Sequence, residues 1–244
     1  MDPIAQFFAE RNDAILAMAK DKDLAKKSLE WMIHADKYKY TYNFTWMGRP
    51  IIKYPNDILI QQEIMWDTRP DLIIETGIAH GGSLVLSASL QKMMGVKGEV
   101  VGFDIDIREH NKKAIEAHPM FDTITMYQAD TSSTQILDLL APHLVGKQKI
   151  MVILDSLHTH KHVSQEIALL SPFVSIGSYL VLPDTFIEFF PPGYYSDRPW
   201  DVGDNPFTAM QQFIKSTNDF VVDELCSAKA QITEAFSGYL KRVN

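Results

Sequence analysis

Residues 71–83 (DLIIETGIAHGGS) constrain the fold most tightly, because an apolar run passes through Glu75 into a glycine turn and then into helix-forming residues. A strand that ends in a carboxylate and a tight turn is how a doubly wound α/β sheet builds the floor of a nucleotide-type site. A second run, Val100-Val101-Gly102-Phe103-Asp104, also ends in a carboxylate, one that can accept hydrogen bonds from both hydroxyls of a ribose. Together the two runs point to an adenosine-containing ligand.

The glycine spacing narrows that ligand. A dinucleotide fingerprint reads G-x-G-x-x-G, so that backbone N–H groups approach a pyrophosphate. Here Gly77 is followed by three other residues and then Gly81-Gly82, and no P-loop lysine follows. A loop that permits close backbone approach without cradling phosphate suits S-adenosylmethionine, whose amino-acid tail and sulfonium carry none. Gly77, Ala79, Gly81 and Ser83 would form that loop, with Glu75 facing the cation or the amino group. The same glycines also serve a plain strand-to-helix turn, which recurs throughout α/β folds.

Strand-like runs near 71–76, 99–104, 123–127, 149–155 and 178–183 alternate with helical patterns near 83–94, 109–117, 133–141, 161–170 and 207–216. That alternation predicts an α/β domain over 51–244, closed by a strand pair near 219–223 and 231–240. Ahead of it, residues 2–34 read as an N-terminal helical arm that opens with Asp2-Pro3 and carries Ile4, Phe7, Phe8, Ile15 and Leu16 at helical spacing. Residues 38–50 are aromatic and end in turn residues, so this stretch crosses a surface or cleft as a substrate or subunit contact. Residues 1–50 therefore form an appendage. Residues 185–206 make the one long irregular stretch, rich in aromatics that include Phe186, Tyr195 and Trp200. Such a loop acts as a substrate lid or as a packing flap.

Ligands in open α/β sheets sit beyond the carboxyl ends of the strands. Two acidic residues reach that rim: Asp155 after the 149–155 run and Asp184 after the 178–183 run. Oxygen donors suit Mg²⁺ or a similar hard cation, which accepts one or two carboxylates and keeps several waters. Each aspartate alone can instead cap the element that follows it. In the run His158-Thr159-His160-Lys161-His162, alternate residues diverge once a helix begins near 160, which disfavours an iron-type site. His158, three residues beyond Asp155, is the candidate general base, with a solvated turn as its plainer role.

The blocks Glu75–Ser83, Gly102–Arg108, Leu154–His160, Val174–Val181, Gly203–Pro206 and Gly238–Val243 together resemble the cephalosporin hydroxylase family, from about residue 45 to the C-terminus. That family includes S-adenosylmethionine-dependent methyltransferases and rhamnosyl O-methyltransferases. The resemblance implies a class I methyltransferase sheet of seven strands, the last antiparallel, with adenosylmethionine at the 75–83 loop and beside Asp155. It implies Asp104 on the ribose, adenine near Ala129-Asp130, and a divalent metal on Asp155 and Asp184. A looser similarity to catechol-type O-methyltransferases matches Asp155 and His158 to a ligand and base, and Asp184-Thr185 to a second ligand pair. The chain departs from the family pattern at Pro183, where an acidic residue is expected. Thr185, water or substrate oxygens are left to complete the metal.

Function thus reads as Mg²⁺-assisted methyl transfer to a hydroxyl of a sugar, glycosylated metabolite or other small natural product. The alternatives are an iron- and 2-oxoglutarate-dependent hydroxylase, or a protein that binds the cofactor without turnover. A net charge of −8 and a pI near 5.4 argue against nucleic acid or an anionic membrane as partner. The single cysteine, Cys226, excludes an intrachain disulfide and fits a reducing compartment. With no leader and no apolar span of the ~18 residues a bilayer needs, a cytoplasmic location is expected. The apolar arm predicts a homo-oligomer.

Overall fold

The computed structural model describes residues 2–244. Two helices come first, α1 (Pro3–Lys20) and α2 (Lys22–Asp36). The arm read over 2–34 is thus a helical pair: Asp21 leaves helical geometry and its side chain accepts the N–H groups of Asp23 and Leu24. The aromatic segment then folds as a 3₁₀ turn, Tyr40–Asn43, and a hairpin of β1 (Phe44–Trp46) and β2 (Arg49–Ile51). Helix α3 (Pro55–Thr68) leads into the main sheet.

From there strand and helix alternate as the sequence pattern predicts. They are β3 (Leu72–Thr76), α4 (Gly82–Met93), β4 (Glu99–Asp104), α5 (Glu109–Glu116), β5 (Ile124–Gln128), α6 (Gln135–Leu144) and β6 (Ile150–Leu154). Helix α7 (His160–Leu170), β7 (Tyr179–Val181), α8 (Pro206–Ser216), β8 (Phe220–Val222), α9 (Glu224–Ala230) and β9 (Tyr239–Arg242) complete the order. The sheet runs β5-β4-β3-β6-β7-β9-β8, with β9 antiparallel to both neighbours and the other pairs parallel. Seven strands with the last reversed is the expected architecture. Strand order turns back at β3, which lies between β4 and β6, and a crevice opens there at the carboxyl ends.

Side-chain alternation assigns the two faces. Ile73, Met151 and Ile153 point into one core with α3 and α4, while Leu72, Ile74, Val152 and Leu154 point into the other with α6, α7 and α8. Every residue of β3 and β6 is buried, as a parallel sheet covered on both faces requires. Each buried aliphatic side chain contributes about 1.5–3 kcal/mol relative to exposure. A third cluster joins Met32 of α2 to Tyr54, Phe186, Ile187 and Phe190. The base of the 185–206 segment is therefore a packed flap, with a 3₁₀ turn at Thr185–Phe189. Its tip, with Tyr195, Arg198 and Trp200, reaches the crevice, and Phe186 and Ile187 at its base line it as well.

One expectation fails. The strand placed at 231–240 is confined to Tyr239–Arg242, and 231–238 is irregular because Gln231 and Ser237 sit at positive φ. This stretch serves a buried carboxylate instead of a ladder: Asp57 accepts from the Thr233 hydroxyl and from the Glu234 N–H at 2.8 Å, and also from the hydroxyl of Tyr239 on β9 at 2.8 Å. Removing that carboxylate strands three buried donors. Asp57→Ala is expected to lose about 3–5 kcal/mol of unfolding free energy, measured by urea denaturation with an unchanged m-value.

Candidate active site

The turns after β3 and β6 lie in contact because Gly77 has no side chain. A Cβ on Gly77 would stand 1.7 Å from the Asp155 carbonyl oxygen, and its φ of +86° belongs to glycine in any case. The ladder continues across this contact, with Asp155 N–H donating to Thr76 O at 2.9 Å, while on the other side of β3 Gly77 N–H donates to Phe103 O of β4 at 2.7 Å. Gly82 plays a second role: its bare Cα lets Pro50 O of the hairpin approach the start of α4.

The 77–81 loop is pinned from outside. Asp104 Oδ2 accepts the N–H groups of Ile78 at 2.8 Å and Ala79 at 3.3 Å, while Asn111 donates to Ala79 O at 2.9 Å. Arg49 donates to His80 O through two nitrogens at 2.6 and 2.9 Å. Ala79 is held at a φ of +45°, an uncommon conformation for a non-glycine residue.

A cleft of about 1050 Å³ opens over these turns. That is room for a nucleoside-sized ligand with a second molecule beside it. Glu75, Gly77, Ala79, Ser83, Asp104, Asp130, Asp155, His158 and Asp184 all line it. Gly81 and Thr185 do not. Gly81 shapes the turn at positive φ against Ile115. Thr185 is fully buried and its hydroxyl donates to Glu234 O at 3.3 Å, so the sequence expectation of Thr185 as a metal ligand is corrected: its oxygen is turned into the protein.

Asp155, His158 and Asp184 each bring a donor atom to one point, all within 4.8 Å of one another among the described residues. Asp184 is held at a φ of +58°, and His158 Nε2 lies 3.1 Å from its Oδ2. Burial pushes the Asp184 carboxyl up to about 6, against the opposing pull of His158. Trp200 stacks edge-on against His158, ring centroids 4.6 Å apart. The other two histidines of the run diverge as helical geometry requires. His160 bonds Thr208 and Gln212, and His162 bonds Thr131 and Ser156.

Sequence reasoning missed Arg49, Lys53, Asn111 and Glu234. Lys53 is buried, with its ammonium 3.3 Å from Asp155 Oδ2 and 2.5 Å from Glu234 Oε1. Burial alone would lower its pKa, but Glu234 and Asp155 reverse this and hold it well above the ordinary lysine value. The signal available was a lone cation inside the apolar stretch Ile51-Ile52-Lys53-Tyr54.

The sheet order and the rim of carboxylates define a class I methyltransferase fold, not the β-barrel that the oxygenase alternative requires. Residues 38–243 match the family described as rhamnosyl O-methyltransferase/CmcI, and the chain belongs to that family. A rhamnosyl O-methyltransferase of Mycobacterium tuberculosis is 30% identical over 203 residues, spanning 81% of this chain and 78% of that one. The Mycobacterium leprae rhamnosyl O-methyltransferase is 29% identical over 201 residues, 81% of this chain and 82% of its own. Among solved structures, CmcI with Mg and SAM superposes with a TM-score of 0.59 at 22% identity, covering 83% of this chain and 78% of CmcI. That likeness concerns the fold.

Glu75 carries the clearest titration in the cleft. It is buried, one of its carboxylate oxygens has no hydrogen-bond partner, and burial pushes it up to about 7 from 4.5 against the pull of Lys53. Its native state therefore holds a proton that the unfolded chain releases earlier. The stability this confers is complete below pH 4.5 and is lost as pH rises through 7. Glu75→Gln is expected to remove that loss and stabilise the ligand-free protein at pH 8 by up to roughly 3 kcal/mol relative to its effect at pH 4.5, read from urea denaturation at the two pH values.

Proposed function

We propose that this chain transfers the methyl group of S-adenosylmethionine to a hydroxyl of a sugar or glycosylated small molecule, assisted by a divalent cation. The observation that carries the reading is the convergence of Asp155, His158 and Asp184 beside the glycine turn. Family membership makes the chain an S-adenosylmethionine-dependent O-methyltransferase. The rhamnosyl acceptors named for its mycobacterial relatives support the sugar.

In this reading Glu75 faces the positive end of the cofactor. Its orphaned buried oxygen supports that role, since a neighbouring cation would favour the ionised form. Asp104, at the end of β4, takes the ribose hydroxyls, and Asp130 borders the adenine. Gly77, Ala79, Gly81 and Ser83 form the loop around the amino-acid tail. The cofactor supplies the methyl group. Two carboxylates within reach of one point, with room for waters, fit a hard cation such as Mg²⁺, although Pro183 contributes no donor. Held by Asp155 and Asp184, the cation would supply Lewis-acid polarisation of the acceptor hydroxyl.

His158 is the general base. It takes the hydroxyl proton as the acceptor oxygen attacks, and Asp184 at 3.1 Å stabilises the imidazolium that results. Trp200 excludes water from that side of the imidazole, and the flap tip with Tyr195 and Trp200 offers aromatic faces to a sugar ring. Positioning of acceptor and donor contributes the larger share of the rate, on the order of 7–11 kcal/mol for well-oriented neighbours. The enzyme acts in the cytoplasm in this reading, and no helix among the described residues is long and apolar enough to cross a membrane. Exposed Ile4, Phe7 and Phe8 on α1 support self-association, which light scattering tests: a monodisperse monomer ends that part of the reading.

His158→Ala is expected to lower kcat about 10²–10⁴-fold on an accepted rhamnosylated substrate while S-adenosylhomocysteine binds as in the wild type by calorimetry. Chelation by EDTA should abolish turnover and Mg²⁺ should restore it. Near-complete activity in the alanine variant would refute the base assignment, and full activity in EDTA would refute the metal.

A further inference from the structure

Lys53 is a charge where the local pattern asks for an apolar residue. It lies on the segment that leaves β2 and enters α3, only 4% exposed. A buried ammonium is tolerated only where carboxylates compensate for its lost hydration. Here there are two, Asp155 Oδ2 at 3.3 Å and Glu234 Oε1 at 2.5 Å.

Glu234 does more than neutralise the lysine. Its N–H donates to Asp57 Oδ2 at 2.8 Å, and its carbonyl accepts from Thr185 Oγ1 at 3.3 Å and from Phe186 N–H at 3.4 Å. One residue therefore grips the Asp184-Thr185 turn through its backbone and the Asp155 turn through Lys53. Both carboxylates of the cleft rim are tied to a single buried ion pair.

We propose that Lys53, through its pair with Glu234, is the positioning residue of this site: it fixes the Asp155 carboxylate against Asp184, so that the two carboxylates stay assembled for a divalent cation beside the His158 base. The assignment rests on the metal-assisted reading above. Without the ammonium, Asp155 would face Asp184 and Glu234 with no intervening positive charge, and like charges in a partly dry cleft drive such side chains apart. Pro183 sharpens the requirement, because a site with few protein donors depends more on where each is held.

The test compares the full-length wild type with Lys53→Met, Glu234→Gln and the double variant. Mn²⁺ binding is read by electron paramagnetic resonance, S-adenosylhomocysteine binding by calorimetry, and stability by thermal unfolding. Lys53→Met is expected to lower Tm and to weaken Mn²⁺ binding at least tenfold. The double variant removes both buried charges, so it should recover most of the lost Tm. Its Mn²⁺ affinity should stay at least tenfold weaker, with S-adenosylhomocysteine affinity within twofold of wild type. A double variant that binds Mn²⁺ within twofold of wild type overturns the proposal, since the pair would then serve stability alone. A parallel loss of S-adenosylhomocysteine binding overturns it as well, because the whole cleft would have changed. A wild type that binds no Mn²⁺ does the same. A wild type that binds both probes yet methylates no sugar hydroxyl removes the proposed function, while a tenfold Mn²⁺ deficit in the double variant still upholds Lys53 as the positioning residue.

Discussion

Backbone packed on backbone, Gly77 against the Asp155 carbonyl, sets the spacing from which the cleft is built. Any side chain at 77 would push the β3 and β6 turns apart, and with them Glu75 from Asp155. Asp104 reaches across from β4 to hold Ile78 and Ala79 by their N–H groups, so three adjacent strands fix one loop. The precision of the site comes from the sheet itself. Side chains added on loops then need only short reaches to meet.

Several charges here oppose stability. Glu75 and Asp184 are both pushed upward by burial, and Lys53 keeps its proton only because carboxylates surround it. A core of matched hydrophobic groups at these positions would hold the fold at least as well. Their retention at one rim, beside a large cleft and away from the two apolar cores, is what separates a site built for chemistry from structural ion pairs such as Lys112 with Glu116 on the surface of α5.

The legible parts of the sequence were those governed by local rules. Strand-helix alternation, the glycine turn and the carboxylates at strand ends all follow from period, turn chemistry and chain order, and the sheet has the predicted seven strands with the last reversed. Asp155, His158 and Asp184 were readable because each stands just beyond a strand. What escaped depends on distant pairing. Glu234 looks like one acid among many until Lys53 is beside it, and the 231–238 stretch carries strand-like residues whose backbone is recruited by Asp57. Thr185 shows the same limit in reverse, since nothing local says that its hydroxyl turns inward to a carbonyl 49 positions away. The aromatic segment before Pro50 suggested a crossing of a surface or cleft, and Tyr42 does line the cleft, while Trp46 donates to Ser89 and lies half-buried against α4.

The Lys53–Glu234 link joins positions 181 apart in the chain. During synthesis the lysine leaves the ribosome long before its partner, and closing so long a loop is among the slower events in folding. Until that closure the nascent rim holds an ammonium with half its compensation, and water must solvate it. The contact that ties the rim together therefore depends on the segment leading into β9 being seated against the segment leaving β2, so the geometry of the cleft is a property of the whole fold and of no single βα unit.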